Sequence, residues 1–173
     1  IKQTLTPLLP PHLYQMITTS VLDEINWVEK WVKETQPIAI SKRLHIIPSH
    51  HLTSEDSEQI HIHLDPGLAF GTGQHPTTQL CLHWLETHLP AKTSIIDFGC
   101  GSGILGITAL RLGGSHCDVV DIDLQALDAC QNNAKLNKVA DQMNYHLAQP
   151  TMQISAHVVV ANIISGILIE NAA

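Results

Sequence analysis

Seven consecutive residues, Asp97-Phe98-Gly99-Cys100-Gly101-Ser102-Gly103, carry the densest chemical information in this chain. Alternate glycines let a backbone turn tightly and approach a ligand with no Cβ in the way. The run follows an apolar segment at 93–98 and opens a helical pattern over 102–112. A helix start offers unpaired N–H groups, and the carboxyl edge of a parallel sheet is where ligands settle. About twenty residues further on, Asp121 ends the next apolar segment, placed to accept hydrogen bonds from the hydroxyls of a ribose.

Two ligand classes suit such a turn. Read from Gly101, the string Gly101-Ser102-Gly103-Ile104-Leu105-Gly106 is a G-x-G-x-x-G fingerprint of dinucleotide binding. Read from Gly99, it is an acidic residue ending a strand and then G-x-G-x-G, the pattern of S-adenosylmethionine (SAM) binding. Electrostatics favours the second. A dinucleotide sets its pyrophosphate at the helix N-terminus, where the Asp97 carboxylate would repel it. SAM has no phosphate, and Asp97 can sit near its sulfonium and ammonium. The alternative, an NAD-dependent oxidoreductase, requires a Tyr–Lys or His–carboxylate pair, and Tyr14 and Tyr145 sit in no such motif.

The surrounding elements follow a strand–helix rhythm. Ile60-His61-Ile62-His63-Leu64 alternates with period two and predicts a strand. Residues 65–78 read as a Gly- and Pro-rich loop, and Leu80, Trp84, Leu85 and Leu89 predict a helix stopped by Pro90. Strands are predicted at 93–98, 116–122, 142–147 and 157–163, with helices at 102–112, 124–136 and from 163 onward. The expected fold is therefore α/β: a Rossmann-like, doubly wound, mostly parallel sheet covered on both faces. Upstream, 23–33 has a helical period, 38–40 and 44–47 are short β-like runs, and 49–59 is a polar loop.

Composition bounds the rest. The 173 residues suit one domain of about 150 plus a small attachment. Apolar residues at 44% and charged residues at 14% exclude general disorder. No apolar run reaches the length of a membrane-spanning helix. Nine Lys and Arg against 16 Asp and Glu give a net charge of −7, which opposes bulk binding to phosphates and favours a basic partner. Cys81, Cys100, Cys117 and Cys130 form no C-x-x-C pair and read as reduced core thiols, consistent with a cytoplasmic protein. The twelve histidines show no metal-ligand spacing, so no metal site is expected, and they read as solvated or strand-face residues. His75 reads as a loop-shaping residue, with a base role as its alternative.

The segments DPGLAFGTGQHPTT (65–78), IDFGCGSGILGI (96–107) and VVVANI (158–163) together resemble the bacterial ribosomal protein L11 methyltransferases (PrmA type). The resemblance covers 27–173 and is strongest over 64–137. It implies a class I SAM-dependent methyltransferase with S-adenosylhomocysteine (SAH) as product. The implied reaction transfers methyl groups to lysine and N-terminal amines of a basic ribosomal protein of the large subunit. No direct nucleic-acid or membrane partner is implied. The alternative within this class is a methyltransferase with another substrate. Ile163 and Ile164 stand where base and glutamine-amide methyltransferases carry the rest of N-P-P-Y. Gln74 departs from the commoner threonine of the family loop but leaves its glycines intact.

The resemblance also implies a ligand set: Thr78, Gly99, Asp121 and Asn162 at the cofactor, with Asp97, Gly101 and Gly103 nearby. Each has its own physical reading. Thr78 stands at a helix start, where a hydroxyl caps the helix or faces a ligand. Asn162 ends a buried strand, so its amide faces the ligand crevice and is the candidate to position the amine. The implied organisation is 1–35 as the tail of a small N-terminal α+β substrate-recognition domain with a linker helix, 36–59 as linker and short β segment, and 60–173 as the SAM-binding catalytic domain. A sheet of four parallel strands is small for this class, so the sequence reads as lacking both ends of its parent.

Overall fold

The computed structural model describes residues 35–51, 58–65, 71–164 and 166. The helix expected over 23–33, the rest of 1–34, most of the 67–73 loop and the helix expected from 163 onward fall outside the described residues.

Among the described residues, seven strands and three α-helices follow in the order β1 Ile38–Ala39, β2 Leu44–Pro48, β3 Ile60–Leu64, α1 Pro76–His88, β4 Ser94–Phe98, α2 Ile104–Arg111, β5 His116–Asp121, α3 Leu124–Leu136, β6 Met143–Leu147 and β7 Val158–Ala161, with a short 3-10 turn at Ala140–Gln142 before β6. The main sheet has four strands in the order β6-β5-β4-β7, all parallel. The chain therefore winds outward from β4 through β5 to β6, then returns to lay β7 on the other side of β4. That reversal is a topological switch point, the crevice where open α/β sheets bind ligands.

Residues alternate across this sheet. Ile95, Asp97, Cys117 and Val119 share the face on which α2 and α3 pack. The opposite face carries His116, Asp118, Asn144 and His146, where Asp118 Oδ1 lies 2.7 Å from His146 Nε2 and accepts from Asn144 Nδ2 at 3.1 Å. Burial raises the Asp118 pKa, but these hydrogen bonds and His116 outweigh it, so the carboxyl lies below its ordinary value. The histidines here are strand-face residues.

A second sheet, β1-β2-β3, pairs β2 and β3 in parallel, so the expected boundary at residue 60 falls between two hydrogen-bonded strands. This small sheet packs over α2 and α3 through β3, and Ile46, Ile62, Leu64, Ile104, Ile107 and Cys130 belong to one buried cluster. Two asparagines, Asn133 in α3 and Asn137 at its C-terminal cap, fasten it there. Asn137 accepts from the His63 N–H at 2.8 Å and donates to the His63 carbonyl at 2.6 Å. Asn133 accepts from the Asp65 N–H at 2.8 Å and donates to the Ser102 carbonyl at 2.9 Å. Truncation of Asn137 (Asn137→Ala) should lower stability by about 1–3 kcal/mol, because two backbone groups lose their partners. Urea denaturation checks this, and an unchanged midpoint would show that water replaces the amide at no cost.

Two helix boundaries differ from expectation. The first helix begins at Pro76, not Leu80, because proline suits the first helical position and His75 caps the end with Nδ1 accepting from the Thr77 N–H. The second begins at Ile104, not at residue 102, because Gly103 occupies the left-handed region with φ +79°.

Candidate functional site

The carboxyl ends of β4, β5 and β7 meet at the switch point and bring together Gly99, Asp121 and Asn162. The glycine turn is tied directly to β5. Gly99 and Cys100 donate their N–H groups to the Val120 carbonyl at 2.8 and 3.1 Å. Gly101 donates to Asp121 Oδ2 at 2.9 Å, while Asp121 Oδ1 accepts from the Asp123 N–H at 3.1 Å. Asp121 is half-buried, so each carboxylate oxygen shapes the turn on one side and keeps a lone pair toward solvent. Ile122 and Leu124, 83% and 62% exposed, stand immediately beside it. An apolar surface next to a carboxylate suits a nucleoside, with base on the one and ribose on the other. Neither Ile122 nor Leu124 is among the residues that the motifs single out.

Asp97 takes a different place from the one its position in the motif suggests. It shares the inward parity of Ile95, and only 1% of it is exposed. Its Oδ2 accepts from the Gly106 N–H at 2.8 Å. Gly103 provides no side-chain cap for α2, so Asp97 supplies the acceptor from the neighbouring strand, at the positive end of the helix dipole. Burial raises its pKa to about 7; the Gly106 N–H opposes that rise and the Asp121 charge adds to it. Asp97 thus sits behind the turn and holds it, without reaching the open crevice.

Thr78 lies in the first turn of α1 and is 3% exposed. It does not cap the helix, since His75 does so. Its Oγ1 accepts a hydrogen bond from Asn162 Nδ2 at 2.9 Å, across 84 residues of sequence. His75 Nδ1 also lies 2.7 Å from Thr77 Oγ1, which commits that ring to the cap. Ser102 Oγ donates to the Gly71 carbonyl at 2.6 Å, joining the glycine turn to the 71–75 loop. All four cysteines are free thiols, and Cys100, Cys117 and Cys130 are buried. Among the described residues no three His, Cys, Asp or Glu side chains converge as metal ligands, and no helix is long and apolar enough to cross a membrane.

Fold and site together define a Rossmann-like methyltransferase domain: a parallel sheet, a glycine turn behind a strand-ending acid, and a second acid closing the next strand. The chain belongs to the ribosomal protein L11 methyltransferase (PrmA) family, whose model matches residues 5–172. It is 47% identical over 152 residues to the ribosomal protein L11 methyltransferase of Shewanella amazonensis, covering 87% of this chain and 51% of that protein. It is 45% identical over 155 residues to that of Pseudomonas fluorescens, covering 89% and 53%. The chain thus spans about half the length of the curated relatives it matches. A crystal structure of ribosomal protein L11 methylase from Lactobacillus delbrueckii subsp. bulgaricus superposes with a TM-score of 0.72 at 32% identity, covering 79% of this chain and 70% of that one.

Proposed function

We propose that this chain carries the SAM-binding part of a cytoplasmic protein N-methyltransferase, acting on lysine and N-terminal amines of a large-subunit ribosomal protein; its relatives are named ribosomal protein L11 methyltransferases. The observation that carries the reading is the switch point itself, where Gly99 and Cys100 donate to the Val120 carbonyl, Gly101 donates to Asp121 Oδ2, and Asn162 follows the end of β7. Asp121 at that turn suits ribose hydroxyls, and membership of a methyltransferase family makes SAM the nucleoside that brings them. Asp121 would hold the ribose, Gly99 would let the cofactor approach the backbone, and Asn162 would face its reacting end. Gly101 and Gly103 shape the turn, and Thr78 stands behind Asn162.

SAM, when bound, supplies a methyl group on a positively charged sulfur. The chain's task is then to present a neutral amine in line with it. Free lysine has a pKa of about 10.4 and is mostly protonated at neutral pH. Desolvation in the crevice and a neighbouring sulfonium both depress that value, so the proton can leave to water without a dedicated base. His75 gives its Nδ1 to the helix cap.

Calorimetric titration with SAH, with NAD in parallel, tests the assignment. SAH should bind and NAD should not. Asp121→Ala should weaken SAH by about 10- to 100-fold, equivalent to roughly 1.5–3 kcal/mol for a charge-assisted hydrogen bond. Equal affinity in both proteins would remove Asp121 from the cofactor site.

A further inference from the structure

We propose that Thr78 is a positioning residue that sets which way the Asn162 amide faces, leaving Asn162 Oδ1 as the hydrogen-bond acceptor for the incoming amine; this rests on the methyltransferase reading above. An asparagine amide has two chemically different ends, and a site that uses one must fix the rotamer. Here the Nδ2 end is spoken for: it donates to Thr78 Oγ1 at 2.9 Å. Thr78 is itself immobile. It is 3% exposed, on a helix whose first turn is set by Pro76 and the His75 cap. One residue further along, Gln79 Nε2 donates to the Gly73 carbonyl at 3.2 Å, which ties that turn to the loop before it. No described residue engages Asn162 Oδ1, so an acceptor oxygen remains at the switch point.

An acceptor there selects a nucleophile that bears a hydrogen. A primary amine can give one N–H to Oδ1 while its lone pair points at the methyl carbon. The N–C bond forms, the C–S bond breaks with its electron pair on sulfur, and one amine proton leaves to water. The secondary amine so made still has an N–H to give. The neutral tertiary amine has none. Asn162 therefore steers the first two transfers to any one nitrogen and cannot steer a third.

The test compares the unsubstituted chain with Thr78→Val and Thr78→Ser. Three quantities are read: SAH affinity by calorimetry, the side-chain amide resonances of Asn162 in the SAH-bound chain, and methyl transfer to ribosomal protein L11 by mass. Thr78→Val should shift the Asn162 amide resonances and lower kcat for the first two transfers at least tenfold, by more than it weakens SAH binding. Thr78→Ser should restore kcat to within about threefold. Unmoved Asn162 resonances in Thr78→Val would overturn the proposal. So would a tenfold loss of SAH affinity at unchanged kcat, which would make Thr78 a direct cofactor contact only. Absence of transfer by the unsubstituted chain would overturn the functional reading and, with it, the role given to Asn162 Oδ1.

Discussion

Replacing Gly99 with alanine is expected to destabilise the chain by about 2–5 kcal/mol and to abolish SAH binding, because two independent penalties meet at one Cα. The residue holds φ +74°, in the left-handed region. An alanine there costs about 1–2 kcal/mol. An added Cβ would also overlap Cγ2 of Ile163, the residue just past Asn162. Overpacking of that kind costs about 1–3 kcal/mol when the neighbour must shift. Movement of Ile163 would drag Asn162 with it, so the damage reaches the site as well as the fold. Gly113→Ala is the matched comparison: φ is +106°, yet nothing lies within 4 Å of its added Cβ. It should show the backbone penalty alone. Urea denaturation of both variants, with SAH titration of each, separates the two terms. Equal losses would mean that Ile163 does not press on the turn.

The second large effect concerns Asp97 and pH. Burial raises its pKa from 3.8 to about 7. Between those values the folded chain keeps a proton that the unfolded chain has released. The associated stability is therefore complete below about pH 4, falls as pH rises, and is gone above about pH 7. The ceiling on the loss is about 4 kcal/mol, at about 1.4 kcal/mol per pKa unit. Asp97→Asn keeps an oxygen for the Gly106 N–H and removes the titration. Its stability relative to the parent should thus improve by about 2–4 kcal/mol between pH 4 and pH 7.5. Urea midpoints across that range check this. Parallel profiles for parent and variant would show that Asp97 ionises in the folded chain as easily as in the unfolded one.

Much of this arrangement was legible from local pattern. The glycine turn, the acid closing the next strand and the four parallel strands follow from apolar runs alternating with helical patterns and from a motif confined to adjacent residues. The start of α1 was legible too, and was read late: Pro76 marks a first helical position, and residue 75 must then be the cap. The inward aim of Asp97 was written in its parity with Ile95, whereas the motif alone suggested a ligand-facing carboxylate. What could not be read were the long-range amide contacts. Asn137 meets His63 across 74 residues, and Asn162 meets Thr78 across 84. Nothing local distinguishes these asparagines from solvated ones; only the packing of α3 on β3, and of α1 near β7, decides.

The Asn137 clamp also bears on the strand edge that β3 presents. Among the described residues, strand β3 pairs with β2 along one side only, and its other side would ordinarily be an invitation to a strand from another molecule. At His63 that side is occupied by a side-chain amide that satisfies both the N–H and the C=O, and at Asp65 by a second one on the N–H. Two asparagines one helical turn apart, in α3 and at its C-terminal cap, thus act as a blunt stand-in for a neighbouring strand. They occupy, at these two residues, backbone groups through which another strand would pair.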